Sequence, residues 1–228
     1  MLKKIDAEMK RRLAMTLGGV VIAGFSVGMF QFSVLGMDPF QVFAHGIWSQ
    51  VQHIMTSGSI KLFTEFDPKH PAIGYGLIYM IINMVLLIAD FFLDKKKIGI
   101  ATFINLFLVG YVVDFSYGIW IKLIPEPTFI IRIIFLIVAI IIMCFASALY
   151  FTSDLGVSTY DAIALTLSEK KGWDFRFVRI TTDLICTGLG FVMGVLPGIG
   201  TIITAFFMGP LIEFFNVHVA RPIRYGKK

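Results

Sequence analysis

The chain has 228 residues, 57% of them hydrophobic and only 15% charged, with a mean hydropathy of +0.83. Ordinary soluble domains carry about 25% charged and 45–50% apolar residues, so too few polar side chains remain here to cover a surface facing water. The same numbers exclude disorder, collagen-like repeats and a disulfide scaffold, and the formal charge of +5 is spread in short basic clusters between apolar runs.

The expected class is an all-α integral membrane protein. The basic clusters are Lys3, Lys4, Lys10, Arg11 and Arg12; Lys95, Lys96 and Lys97; Lys170, Lys171, Arg176 and Arg179; and Arg221, Arg224, Lys227 and Lys228. Clusters flanking apolar runs set orientation and meet anionic head groups, so the expected partner is the lipid bilayer and not nucleic acid. Cys144 and Cys186 fall inside apolar runs, as buried structural thiols do.

The first apolar run, residues 13–37, is uncharged over about 25 residues and exceeds the 7–15 of a cleavable signal core. It is read as a retained first span. A helix needs about 20 apolar residues to cross the hydrocarbon, and six stretches qualify: 13–35, 71–93, 98–121, 128–152, 174–196 and 198–219. Pro197, among Gly194, Gly198 and Gly200, separates the last two. Trp120, Trp173, Tyr117 and Tyr225 mark span ends, where amphipathic rings prefer the interface. Six spans with both termini in the cytoplasm place every basic cluster inside, and the mixed-sign 56–70 loop is then outside.

Two short helices lie between spans. Asp38 is a favoured N-cap, Pro39 suits the first helical position, and Gln41 can reach back to the cap. Phe40, Phe43, Ala44, Ile47, Trp48, Val51 and Ile54 then recur at helical spacing. After span four, Ser158 caps in the same way with Asp161 three residues on, and Glu169, Lys170 and Lys171 close that helix. Neither is expected to be long enough to span. Each either lies flat at its interface as an amphipathic helix or re-enters so that its N-terminus nears the midplane.

Self-comparison reveals a duplication. Residues 24–44 align with 144–164, setting Gly36 on Gly156, Leu35 on Leu155, Phe40 on Tyr160 and Ala44 on Ala164. Residues 99–115 align with 198–214, setting Gly99 on Gly198, Thr102 on Thr201 and Asn105 on Thr204; between them Asn83 meets Asp183. The predicted fold is one membrane domain, 1–228, of six transmembrane helices in two three-helix repeats, 13–121 and 128–219. An odd number of spans per repeat makes the second copy inverted, a layout common among secondary transporters.

The Gly-Met-Asp-Pro-Phe box at 36–40, its counterpart Gly-Val-Ser-Thr-Tyr at 156–160, and the Gly-Ile-x-Thr openings at 99 and 198 carry a resemblance. The chain resembles the YczE/YyaS/YitT family of bacterial inner-membrane proteins over most of its length. Lacking the soluble C-terminal extension of YitT-type members, it is more similar to the YczE type. The resemblance implies duplicated halves and the bacterial cytoplasmic membrane, but no substrate.

Ionisable or strongly polar groups at membrane depth are functional candidates. Asp183 lies two turns into the fifth span with Arg179 four residues before it, and Asn83 is its counterpart in span two. Together with the caps these give an expected substrate site at the repeat interface: Asp38, Gln41, Asn83, Ser158, Thr159, Asp161 and Asp183. Carboxylates at both caps offset the helix dipoles, so the charge of the solute stays open and proton or cation coupling is compatible. Thr102, Asn105, Thr201 and Thr204 read as packing contacts, and Asp114 and Glu213 as wet helix ends. His45 and His53, eight residues apart, lack the spacing of a metal pair, and no enzyme or cofactor motif is found. Two functions follow as expectations: a secondary transporter or facilitator of a small polar solute, or a non-transporting accessory protein that supports or regulates a partner.

Overall fold

A computed structural model describes residues 2–60, 74–173 and 175–226. Residues 71–73 and 174 of two predicted spans, and most of the predicted outer loop, lie outside the described residues. The described residues form helices α1 (Leu2–Ser33), α2 (Pro39–Ser57), α3 (Tyr75–Leu93), α4 (Ile100–Leu123), α5 (Phe129–Ser153), α6 (Thr159–Lys171), α7 (Phe175–Val192) and α8 (Ile199–Phe215). A π-helical turn, Asn216–Ala220, carries α8 into a last short helix, α9 (Arg221–Tyr225).

Among the described residues, five stretches are long and apolar enough to cross a membrane: Ala7–Ser33, Tyr75–Leu93, Ile100–Leu123, Phe129–Ser153 and Ile199–Tyr225. The stretch predicted as the fifth span forms helix α7, but this runs 18 residues and carries Arg176, Arg179 and Asp183, too much charge to qualify as a span on composition. Helix α2 departs from expectation in length. Its 19 residues reach about 28 Å at 1.5 Å per residue, but Gln41, His45, Ser49, Gln50, Gln52 and His53 make it too polar for lipid. Most of Pro39–Gln50 is instead buried in the protein.

Helices α1 and α5 cross antiparallel at the centre. Arg12 Nε donates to the Ser153 carbonyl at 2.8 Å, Ser26 Oγ to that of Ala139 at 2.7 Å, and Phe32 packs on Phe135 with ring centroids 4.7 Å apart. Each has a parallel neighbour. Gly24 and Gly28 let α1 approach Val112 and Ser116 of α4, and Ser116 donates to the Phe25 carbonyl at 3.0 Å. Helix α5 lies beside α8 and its π turn, where Thr152 Oγ1 donates to Asn216 Oδ1 at 2.8 Å. The two remaining pairs are α2 along α7, with Val42 on Gly190, and α6 along α3, with Thr159 on Asn83 and Lys170 on the Leu93 carbonyl.

The chain breaks in the same way after α1 and α5. Val34 and Asp154 take φ of 56° and 54°, and Gly36 and Gly156 take 123° and 113°. That conformation favours glycine, and space demands it as well: a Cβ on Gly36 would sit 2.8 Å from the Thr201 amide nitrogen, and one on Gly156 2.6 Å from that of Gly99. The carbonyls exposed by the breaks are taken up by helix starts elsewhere. Gly200 N donates to Leu35 O at 2.9 Å and Ala101 N to Leu155 O at 3.0 Å. Thr201 Oγ1 accepts from Met37 N at 3.2 Å, while Thr102 Oγ1 donates to Val157 O at 2.7 Å. Two of the threonines read as packing contacts, Thr102 and Thr201, are therefore the side chains that fasten the breaks.

Among the described residues, one member of each basic cluster meets the others at one end of the bundle. There Arg12 and Arg224 both reach Asp154 at 3.3 Å, Lys97 pairs with Glu169 at 2.5 Å, Lys170 donates to the Leu93 carbonyl, and Val157 N donates to the Lys97 carbonyl.

Candidate functional site

Because the breaks turn α2 and α6 back into the protein, their first turns meet. The rings of Phe40 and Tyr160 stack with centroids 4.7 Å apart and planes 16° from parallel. Tyr79 meets the edge of Phe40 at 5.7 Å, and the Arg179 guanidinium lies 4.6 Å above Tyr160. A cavity of about 380 Å³ opens beside this stack. Its polar side holds Asp38, Gln41, Asn83, Ser158, Asp161 and Asp183, and its apolar side is formed by α1, α5 and α8, with Val20, Val27, Met143 and Met208 among them.

Six of the seven predicted site residues thus line one cavity. Asp38 caps α2 through Oδ1 alone, which accepts from Phe40 N at 3.1 Å and Gln41 N at 3.4 Å. Gln41 turns its carbonyl oxygen to the Tyr75 hydroxyl. Ser158 caps α6 by accepting from Asp161 N at 3.2 Å, and donates to Asp161 Oδ2 at 2.6 Å. Asn83, 1% exposed, donates to the Tyr79 carbonyl at 2.8 Å and accepts from Thr159 Oγ1 at 2.7 Å. The seventh, Thr159, stands behind the wall and positions Asn83.

Arg179 joins the second-half carboxylates. Its Nη1 pairs with Asp161 Oδ1, and its Nε lies 3.4 Å from Asp183 Oδ1, which also accepts from the Tyr160 hydroxyl at 2.5 Å. The α7 spacing placed Arg179 and Asp183 on one face, but Arg179 was not among the predicted site residues, and its bond to Asp161 comes from tertiary packing. Tyr79, Tyr150 and Tyr160 were also missed, since aromatic residues at helical spacing read first as core.

A second cavity of about 640 Å³ is lined by Gln31, His45, Trp48, Tyr75 and Asp114, with the turn before α8. The His45 ring stacks on Tyr75 at 4.1 Å and hydrogen-bonds Gln31 at 2.9 Å. Tyr75 lines this cavity and Gln41 the first, so their hydrogen bond lies on the boundary between the two. Asp114, read as a wet helix end, is exposed but also accepts from Gly76 N at 3.0 Å. Among the described residues, no group of three or more His, Cys, Asp or Glu is arranged to hold a metal ion.

Apolar helices surrounding a charged internal cavity define an all-helical membrane protein. Residues 10–217 match the family described as "Family of unknown function (DUF6198)", and the chain belongs to that family. It is similar to an "Uncharacterized protein" of Haemophilus influenzae, 27% identical over 197 residues that cover 86% of this chain and 84% of that one. It is also similar to the "Uncharacterized membrane protein YczE" of Bacillus subtilis, 23% identical over 218 residues covering 91% and 86%. The family resemblance read from the glycine boxes therefore holds along the chain. No solved structure matches.

Proposed function

We propose that this chain is a secondary transporter or facilitator of a small polar solute in the bacterial cytoplasmic membrane. In this reading α7 is the sixth crossing, residues 13–121 and 128–219 are inverted repeats, and both termini are cytoplasmic. The observation that carries it is the meeting of the α2 and α6 N-termini over one cavity lined by polar groups from both halves. Helix starts converging near the midplane on a polar cavity are the recurring site of transporters built from inverted repeats. The antiparallel α1–α5 crossing, the paired breaks and the gathering of basic clusters at one end support the symmetry and the orientation.

Reporter fusions after Lys97 and after Lys171 should both read cytoplasmic. The purified protein in liposomes should catalyse solute-dependent proton or solute flux, and Asp161→Asn or Asp183→Asn should insert normally and lose gradient-coupled uptake. A periplasmic reading at either fusion would break the topology. Flux absent under every gradient across a broad panel of amines, acids and zwitterions would favour the accessory-protein role.

A further inference from the structure

We infer that the cavity between α2 and α6 is a site for an organic monocation with an apolar body. This deepens the transport reading by naming its solute class. The charged residues lining the cavity are three carboxylates, Asp38, Asp161 and Asp183, and one guanidinium, Arg179. Arg179 is committed to Asp161 and Asp183. Asp38 is left with the two backbone amides of its cap, both on Oδ1, while Oδ2 makes no hydrogen bond or ion pair among the described residues. Negative charge exceeding positive charge inside a membrane protein is balanced by a proton or by a bound cation at the unpaired carboxylate.

A second observation points to a ligand in the same space. Tyr150 is 6% exposed and lines the cavity, and its hydroxyl has no hydrogen-bond partner among the described residues. It lies within the electrostatic reach of Asp161 and Tyr79, which line the same space. A buried hydroxyl without a partner costs free energy unless something it can bind enters the cavity. An ammonium-type centre at Asp38 would supply the missing charge. The rest of such a molecule would lie against Val20, Val27, Met143 and Met208, an apolar wall that a bare metal ion or a hydrated anion would not use.

The test uses benzylammonium against benzylsulfonate, two probes of similar size and opposite charge, with the full chain in detergent or nanodiscs. Calorimetry should show saturable binding of the cation and none of the sulfonate. Asp38→Asn should weaken cation binding by about 10–100-fold, the range for losing one charged hydrogen-bonding partner, with its melting temperature close to that of the native chain. Asp38→Glu should retain binding. Should Asp38→Asn fail to fold, Tyr150→Phe serves instead and should alter affinity for hydroxylated amines such as choline. Sulfonate binding, or cation binding indifferent to both variants, overturns the proposal. So does the absence of cation binding with Asp38-dependent proton flux, which would make the site a proton site. Cation binding lost in Asp38→Asn but without uptake into liposomes would keep the site and remove the transport reading.

Discussion

The two helix starts that meet at the cavity share a backbone and differ in chemistry. Helix α2 is capped by Asp38, runs 19 residues and sends Gln41 to Tyr75 of its own half. Helix α6 is capped by Ser158, runs 13 residues and sends Asp161 to Arg179 on the following helix. The breaks before them are alike to within about ten degrees in φ, and each is fastened by a threonine of the opposite half. The two breaks are thus held mainly by main-chain contacts and glycines, which leaves the cap side chains free to differ. The first half contributes a carboxylate that forms no ion pair among the described residues, and the second a cluster in which Arg179 pairs with Asp161 and Asp183.

The largest test of that contrast is Arg179→Ala. It strands Asp161 and Asp183 and removes the cation from the Tyr160 face, so it should destabilise the protein by about 3–5 kcal/mol, measured by thermal or denaturant unfolding in detergent. Comparable stability for Arg179→Ala and wild type would mean the second-half cluster is not a unit. Next come Gly36→Val and Gly156→Val, each expected to cost about 2–5 kcal/mol from strain at positive φ plus collision with the facing helix start. Unequal losses at the two glycines would show that the breaks are not equivalent.

Smaller effects sharpen the comparison. Thr102→Val removes a donor to Val157 and an acceptor for Gly99 N, whereas Thr201→Val removes an acceptor for Met37 N. Losses of about 2 and about 1 kcal/mol are expected, in that order. Asp38→Asn should change stability least, within about 0.5 kcal/mol, because asparagine caps a helix nearly as well. The same substitution in a buried ion pair would not be silent, so its mildness would mark Asp38 as serving something other than the fold.

Much of the scaffold was legible in the sequence because it depends on local signals. Gly36 and Gly156 announced themselves by alignment, and both caps by residue type. Span limits followed from hydropathy, but α7 hid part of its polarity in an apolar average, and α2 ran longer than its amphipathic stretch suggested. The cavity was legible as a set of polar residues at matching depth. Their pairing was only partly so: Asn83, aligned with Asp183, bonds Thr159 instead, and Arg179 joins Asp183 of its own helix to Asp161 of α6, 18 residues earlier. Repeat alignment identifies equivalent positions, whereas a hydrogen bond depends on which rotamers the interface between the halves admits.

The exchange of break-fastening contacts also bears on how the chain is made. The carbonyl of Leu35 waits for the amide of Gly200, 165 residues later, and the amide of Met37 for Thr201. Until α8 emerges from the ribosome, the first break stays unsealed, with polar backbone in or near lipid. The second break closes almost at once, since its fasteners at Ala101 and Thr102 are already in the bilayer when Leu155 arrives. Biogenesis therefore proceeds from the later break to the earlier one. A nascent chain stalled before residue 199 should remain open to proteases and chaperones that the finished protein resists.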